Sequence, residues 1–394
     1  MAIEFVEYPT MTDTIKYAAL ILRKGWQYPK MVSLFRKDQI EPFIKQDKDK
    51  IYSNGYVGKE IKRLIWSPLE EFISPGMRVY FSPAGIIHQL AIENLPADDS
   101  TTLGDRYQIY RLSSTKALAL HEPELQNKTT VLYGGLKYDL EVKEMASECK
   151  KYEFEKHNSY LAMRGYSTDT TLRKGWEYLN GTLQEVDQIS RLMKEKKYYV
   201  TKHTWATGSE ASFKSLSGKG NGIIHIATHG FFLPIEESKK NLYVQMRMGD
   251  QRETRGRVDP MLRSGLMLSG GNRAWQGEKI PEDIEDGVLT AREISRMDLR
   301  GTDLVVLSAC ETGLGEVSGE GVFGLQRSFK QAGVKTLLMS LWEVNDQATR
   351  YIMTEFYSNL LSGKDKRTAF LAAKRKCKEK FQFPQYWAAF IMLD

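Results

Sequence analysis

The chain is poor in the residues that mark several large protein classes. Only three cysteines occur in 394 residues, at Cys149, Cys310 and Cys377. That count and spacing exclude a disulfide framework and the paired-cysteine zinc patterns. A reducing cytoplasm is the natural setting for such a chain, and it keeps each thiol free. No apolar run approaches the roughly 18 residues of a membrane span, so we expect no membrane association. The opening Met1-Ala-Ile-Glu-Phe-Val6 lacks the basic-then-apolar layout of a secretion signal. Tandem repeats and low-complexity tracts are absent from the sequence. The six histidines show no metal-ligand spacing; on a strand, His225 and His229 would share a face about 13 Å apart, too far to bind one ion easily. We expect neither a metal nor a cofactor. The formal net charge of +6 is small for this length. Basic residues alternate with acids, as in Lys143-Glu144, and read as solvated helix faces, a weak argument for nucleic acid.

A composition of 41% hydrophobic and 27% charged residues fits a soluble globular protein of one large or two smaller domains. The C-terminal two-thirds alternates strand and helix patterns. Strands are expected at Thr130–Gly135, Lys197–Thr201, Ile223–His229, Asp303–Cys310, Val334–Trp342 and Trp387–Leu393. Helices are expected at Thr182–Lys196, Ser209–Leu216, Thr290–Met297, Glu320–Gly333, Asp346–Leu361 and Lys364–Lys380. Such alternation implies a mostly parallel sheet covered on both faces. The first 125 or so residues look different, with strands at Tyr17–Arg23 and Met77–Phe81 and a helix over Lys59–Phe72 that Pro68 ends or kinks. Phe231 to Gly287 reads as a long, charged, Gly- and Pro-containing segment, and loops of that length in compact domains are usually functional or disordered.

Two β-branched runs end in chemistry-bearing residues. Ile223-Ile-His-Ile-Ala-Thr-His229 is followed by Gly230, and Asp303-Leu-Val-Val-Leu-Ser-Ala-Cys310 leads into Gly313. In open α/β sheets, sites gather at the carboxyl ends of the strands. A thiol and an imidazole on one such edge form a candidate Cys/His dyad, since cysteine attacks as its thiolate and histidine exchanges protons near neutrality. Gly230 allows a sharp turn, so that its N–H and that of Cys310 form an oxyanion hole. Taken singly, a cysteine after a buried strand is most often a core residue, and a histidine there a satisfied core group. Their pairing on one edge is what favours catalysis. His225 reads as buried structure, and His88 has no evident partner. Gly319-Glu-Gly-Val-Phe-Gly324 matches a dinucleotide-binding fingerprint, with Glu343 as the ribose acid. Its glycines come ten residues after the strand, and Glu316 and Glu320 stand where a pyrophosphate would sit, so that reading is the weaker one.

The set of motifs resembles the CHAT family, caspase-like domains often attached to tetratricopeptide repeats. The resemblance runs through His225–Phe232, Pro260–Leu268, Glu285–Ala291, Leu304–Gly313, Gly319–Leu325, Ser340–Asp346 and Tyr386–Phe390, with Phe81–Gly85 and Glu93-Asn-Leu95 upstream. It implies an α/β fold with a caspase-like, mostly parallel sheet sandwiched by helices and a smaller N-terminal α/β region packed against it. Residues 1–127 would be the N-terminal, pseudo-protease-like part and 128–394 the peptidase domain. It further implies a cysteine endopeptidase of the caspase and separase type, with His229 and Cys310 as the dyad and backbone N–H groups of Gly230 and Cys310 as oxyanion donors. The segment Ser340–Asp346, including Trp342 and Glu343, would line the groove and pair with substrate by strand addition. Asp346 would form the base of a pocket for Arg or Lys; the alternative is that it caps the helix beginning at Gln347. The loop after Phe232 would gate the groove, with Lys239, Lys240, Arg247, Arg252, Arg255 and Arg257 as self-cleavage points. The implied setting is regulated cleavage of a specific protein substrate in bacterial defence or signalling. A regulatory or sensor partner is expected too, because no tetratricopeptide repeats are visible here. The competing reading is a catalytically silent caspase-like module that only binds a partner.

Overall fold

The structure is a computed structural model. It describes all residues except 12, 13, 120–126, 153–173, 233–259, 309–315, 319 and 320. The chain divides into two compact units: Met1–Glu124 with Val317–Val322 and Leu371–Asp394, and Leu125–Glu316 with Phe323–Phe370.

In the first unit, β1 (Ala2–Pro9), β2 (Ile15–Leu22) and β3 (Lys30–Arg36) form an antiparallel meander. The parallel strands β4 (Arg78–Ser82) and β5 (Gln108–Arg111) extend it from β1, and Phe390–Leu393 joins β5 in parallel. Of these five, β3 and β5 were not legible in the sequence. The Lys59–Phe72 pattern resolves into an α-helix over Tyr56–Ile65 and a 3₁₀ turn over Ser67–Phe72, with Pro68 at the start of that turn, where its missing N–H costs nothing. The Phe81–Gly85 motif has a steric basis. Gly85 lies at φ +49°, and a Cβ there would stand 1.7 Å from Glu7 Oε2. Glu93-Asn-Leu95 is structural as well: Glu93 pairs with the buried Arg111 at 3.2 Å, and Asn94 accepts from Lys374 Nζ at 2.6 Å and donates to the Ala388 carbonyl at 2.7 Å. His88 is buried with neither ring nitrogen bonded to another described residue. Burial, then the nearby Arg111 charge, pushes its pKa down to about 3.

The second unit holds β6 (Thr129–Leu136), β7 (Tyr199–Trp205) and β8 (Ile223–Ile226). A small antiparallel sheet follows, of β9 (Gly230–Phe232), β10 (Ser264–Met267) and β11 (Val288–Thr290), in the order β11-β10-β9. Next come β12 (Leu304–Leu307), the mutually paired β13 (Glu316–Ser318) and β14 (Gly321–Phe323), and β15 (Thr336–Ser340). The main sheet runs β15-β12-β8-β6-β7, and its strands are parallel. Both faces are covered. One face of β6 meets the Asn180–Glu195 helix, with Thr130 at Met193 and Gly134 close against Val186. Register puts His225 on that same face (Leu132↔His225), where it also touches Tyr357 of the Asp346–Leu361 helix. On the other face Tyr133 stacks near Phe213, which meets Phe329 of the Leu325–Gln331 helix. Double coverage explains why β12 reads as an unbroken apolar run and β8 as one interrupted only by His225, rather than as alternating strands. The α/β layout expected from the sequence, a mostly parallel sheet covered by helices, is therefore present.

Several boundaries differ from expectation, two of them for a clear local reason. The helix expected from Glu320 starts only at Leu325; Gly321 and Gly324 are poor helix formers, while Val322 and Phe323 favour the strand that stands there. Lys197 turns at φ 61°, so β7 starts at Tyr199 rather than Lys197.

Candidate functional site

β8 pairs in parallel with both β6 and β12, and Ile226 stands opposite Leu307. His229 lies three residues beyond Ile226, and Cys310 three residues beyond Leu307. Neighbouring strands lie about 4.8 Å apart, so the last described positions of the two runs leave the sheet side by side, pointing the same way. Cys310 itself lies outside the described residues, as do Gly313 and the six basic residues of the 239–257 segment named above.

His229 is half-buried. The Tyr138 and Trp176 rings lie against its imidazole, with centroids 5.2 and 4.8 Å away. Its Nε2 lies 2.7 Å from the Glu177 carbonyl oxygen. A carbonyl only accepts, so the neutral ring carries its proton on Nε2 and leaves the Nδ1 lone pair as the basic site. Burial lowers the His229 pKa; the Glu177 hydrogen bond and the negative charges of Asp346, Glu343 and Glu177 oppose that. The backbone around it is anchored: its carbonyl accepts from Met267 N at 2.9 Å, and Tyr138 OH bonds the Thr228 hydroxyl at 2.9 Å.

Gly230 opens β9, at the edge of the three-stranded sheet, opposite Leu266. The preceding His229/Met267 pair is hydrogen-bonded. Antiparallel pairs alternate, so the Gly230/Leu266 pair is the non-bonded one and the Gly230 N–H faces the open edge. Trp342 is buried, whereas Glu343 and Asp346 are exposed. A buried pocket carboxylate is therefore not what Asp346 provides here. Nor does it cap its helix: Asn345 is the N-cap, its side chain accepting from Gln347 N at 2.9 Å. The Asp346 carboxylate instead lies beside Gly181, where a Cβ would sit 3.3 Å from its Oδ2. The structure thus brings His229, Glu343 and Asp346 into one electrostatic neighbourhood.

The strap 174–179 was not singled out from the sequence. It carries Trp176 and Glu177 against His229, and its Tyr178 stacks on the exposed Trp205 at 5.5 Å. The available signal was the aromatic run Trp176-Glu-Tyr-Leu179 inside an otherwise unpatterned stretch.

Glu210, Glu285 and Glu293 converge closely enough to hold an ion, but Lys214 Nζ sits among them at 2.7, 2.6 and 3.1 Å and supplies the positive charge. Cys377 is fully buried, which pushes its thiol up to about 12. Cys149 accepts from Glu285 N at 3.3 Å. Neither has the surroundings of an activated thiol. No helix among the described residues is long and apolar enough to cross a membrane.

Comparison with known proteins matches residues 56–394 to the family described as CHAT domain. Human tetratricopeptide repeat protein 28 is 32% identical over 124 residues, covering 30% of this chain and 5% of that protein. The mouse protein of the same name is 36% identical over 114 residues, covering 28% and 4%. The chain thus spans only a small fraction of the curated relatives it matches. Among solved structures, gingipain R, titled an Arg-specific cysteine proteinase, superposes with a TM-score of 0.47 at 9% identity, covering 91% of this chain and 74% of that one. The Saccharomyces cerevisiae separase–securin complex gives 0.40 at 11% identity, covering 95% and 21%.

Proposed function

Starting from the chain's membership of the CHAT domain family, we propose that it is a cysteine endopeptidase in which His229 and Cys310 form the catalytic dyad. The observation that supports this reading is the β8–β12 register, which sets Ile226, three residues before His229, opposite Leu307, three residues before Cys310. Support also comes from the His229 imidazole, tied at Nε2 and so able to work through Nδ1. Cys310 transfers its proton to that nitrogen, and its sulfur attacks the substrate carbonyl. The tetrahedral oxyanion meets the N–H groups of Gly230 and Cys310, donors typically worth a few kcal/mol of barrier each. The imidazolium then protonates the leaving amine, and water hydrolyses the thioester with His229 as base.

Glu343 and Asp346 make the neighbourhood acidic, which favours a substrate with Arg or Lys before the scissile bond. With the helix capped by Asn345, we assign the exposed Asp346 to specificity as a surface charge rather than as the base of a buried pocket. The segment from Trp342 to Asp346 would receive the substrate backbone by strand addition. Regulated cleavage of one protein is the role we assign, with tetratricopeptide repeats as the sensor context suggested by the matched relatives. A cytoplasmic setting, and bacterial defence as the pathway, belong to the same proposal.

The test compares wild type with Cys310→Ala and His229→Gln in cell lysate, sequencing the new N-termini. We expect cuts from wild type alone, preceded by Arg or Lys, and loss of that preference in Asp346→Asn. Apolar residues before the cuts would remove Asp346 from the specificity role. Iodoacetamide labelling separates the peptidase from a silent binding module. An activated Cys310 reacts at mildly acidic pH, ahead of Cys149 and Cys377; an unreactive Cys310 together with no cuts would establish the binding module.

A further inference from the structure

The hydrogen bond that orients His229 ends on a segment with no regular structure. Glu177 belongs to the strap 174–179, which is neither helix nor strand before Asn180. Something outside the strap must therefore hold its carbonyl in place. We propose that Asn272 is that positioning residue: it clamps Trp176 so that the next carbonyl meets His229 Nε2. The proposal rests on reading His229 as the proton carrier.

Asn272 is buried, and its side-chain amide treats Trp176 as a neighbouring strand would. Its Oδ1 accepts from Trp176 N at 2.7 Å, and its Nδ2 donates to the Trp176 carbonyl at 3.1 Å. The same Nδ2 donates to Asp139 Oδ1 at 2.9 Å. This pattern dictates the orientation of the amide. Trp176 N can only donate, and the Asp139 carboxylate can only accept, so a flipped amide would break both bonds. The backbone of Asn272 is held too, its N–H donating to the Tyr138 carbonyl at 3.2 Å. Tyr138 is also one of the two rings against His229.

The short helix Gly271–Trp275 that carries Asn272 supplies a second hold. Trp275 packs on Trp176 with centroids 5.3 Å apart, while Trp176 packs on His229 at 4.8 Å. One helical turn thus grips the strap by backbone and by side chain. The seat requires glycine: Gly270 adopts φ +88°, and a Cβ on Gly271 would stand 2.7 Å from the Gly287 carbonyl. Among common side chains of this length, only asparagine offers an acceptor and two donors in one plane. Aspartate has no donor for the Trp176 carbonyl and would repel Asp139, and alanine leaves the Trp176 N–H and C=O without the clamp.

The experiment uses the intact chain labelled with ¹⁵N-histidine, the His229 signal being assigned through His229→Gln. Wild type should show an Nε2–H slow to exchange with solvent. Asn272→Ala and Asn272→Asp should lose that protection well below their melting temperatures and lower kcat about 10- to 100-fold, the range seen when outer partners that orient metal-ligating histidines are removed, with KM within about twofold. Asp139→Ala removes one of the three amide bonds from an exposed position, so it should fold and show a smaller change of the same kind. A protected Nε2–H and unchanged kcat in Asn272→Asp and Asp139→Ala would overturn the proposal. If wild type cleaves nothing yet the Nε2–H responds as described, the peptidase reading fails and the clamp stands. If wild type cleaves but the Nε2–H ignores Asn272, the reverse holds.

Discussion

At the scale of single residues, the site is governed by where one proton sits. Glu177 supplies no side-chain chemistry to His229; its backbone oxygen selects the ring nitrogen that carries hydrogen. The acids act through space. Burial lowers the His229 pKa, while Asp346 and Glu343 raise it, so removing either charge should lower it further. The basic form of His229 exists above its pKa, so the acid limb of kcat/KM should move to lower pH in Glu343→Gln. The shift should stay under about one pH unit and shrink with added salt, because Glu343 is exposed and screened. A pH–rate profile at two ionic strengths checks this, and a limb moving upward would contradict the assigned field. His229 and Cys310 stood out as candidates by residue type and by the glycine after the histidine, and of the two only His229 lies among the described residues. The Glu177 carbonyl was not legible in the sequence, because any residue has one and only the folded path of the strap selects this one.

At the scale of elements, ion pairs hold the pieces behind the site in register. Glu285-Asp-Gly-Val-Leu-Thr-Ala291 attracted attention as a motif, and its first residue proves to be one of three carboxylates around Lys214. Glu210 in turn accepts from Gly287 N at 2.9 Å, and the Gly287 carbonyl accepts from Leu268 N at 2.7 Å. Leu268 follows Met267, which bonds the His229 carbonyl. Burial alone would lower the Lys214 pKa, but the three carboxylates hold it well above the usual lysine range. Lys214→Met would leave the buried Glu210 carboxylate uncompensated, at a cost of roughly 3–5 kcal/mol near neutrality. Burial already raises the Glu210 pKa, so the deficit should shrink as pH falls toward 5. Urea denaturation of both proteins at pH 7 and pH 5 measures the gap, and an equal gap at both would show that lost packing, not charge, sets the cost. Helix boundaries were legible where caps were strong, as at Ser209 and Thr290, whose side chains bond Ser212 N and Glu293 N. They were missed where glycines interrupt, as between Gly319 and Leu325.

At the scale of the whole molecule, the first unit is discontinuous in sequence. Its sheet takes Phe390–Leu393 beside β5, and its core takes the buried Trp387 and Lys374 from the same distant stretch. A fragment of residues 1–124 would expose the β5 edge and lose the Lys374–Asn94 bond. We expect it to show no cooperative thermal transition by circular dichroism, and a single-chain fusion of residues 1–124 to 371–394 to recover one. A sharp transition in the short fragment would mean that the distant stretch is dispensable to the fold of that unit.

Composition and pattern alone determined the class of this protein: the absence of membrane-length apolar runs, the alternating strands and helices, and two largely apolar, β-branched runs that have to be buried on both faces. They also determined which residues compete for the chemistry, since a lone thiol and an imidazole ending such runs converge wherever the runs are neighbouring parallel strands. Strand order is a long-range property, and periodicity reports only local burial, so the tertiary structure alone decided that β8 and β12 are adjacent with Ile226 opposite Leu307. It alone decided that Asn345 rather than Asp346 caps the helix, because capping depends on the backbone angle at one residue. The Asn272–Trp176–Glu177–His229 chain belongs to the same level. Its links are backbone atoms and one amide drawn together from three separate stretches of chain, and no local pattern encodes where a loop's carbonyl will point.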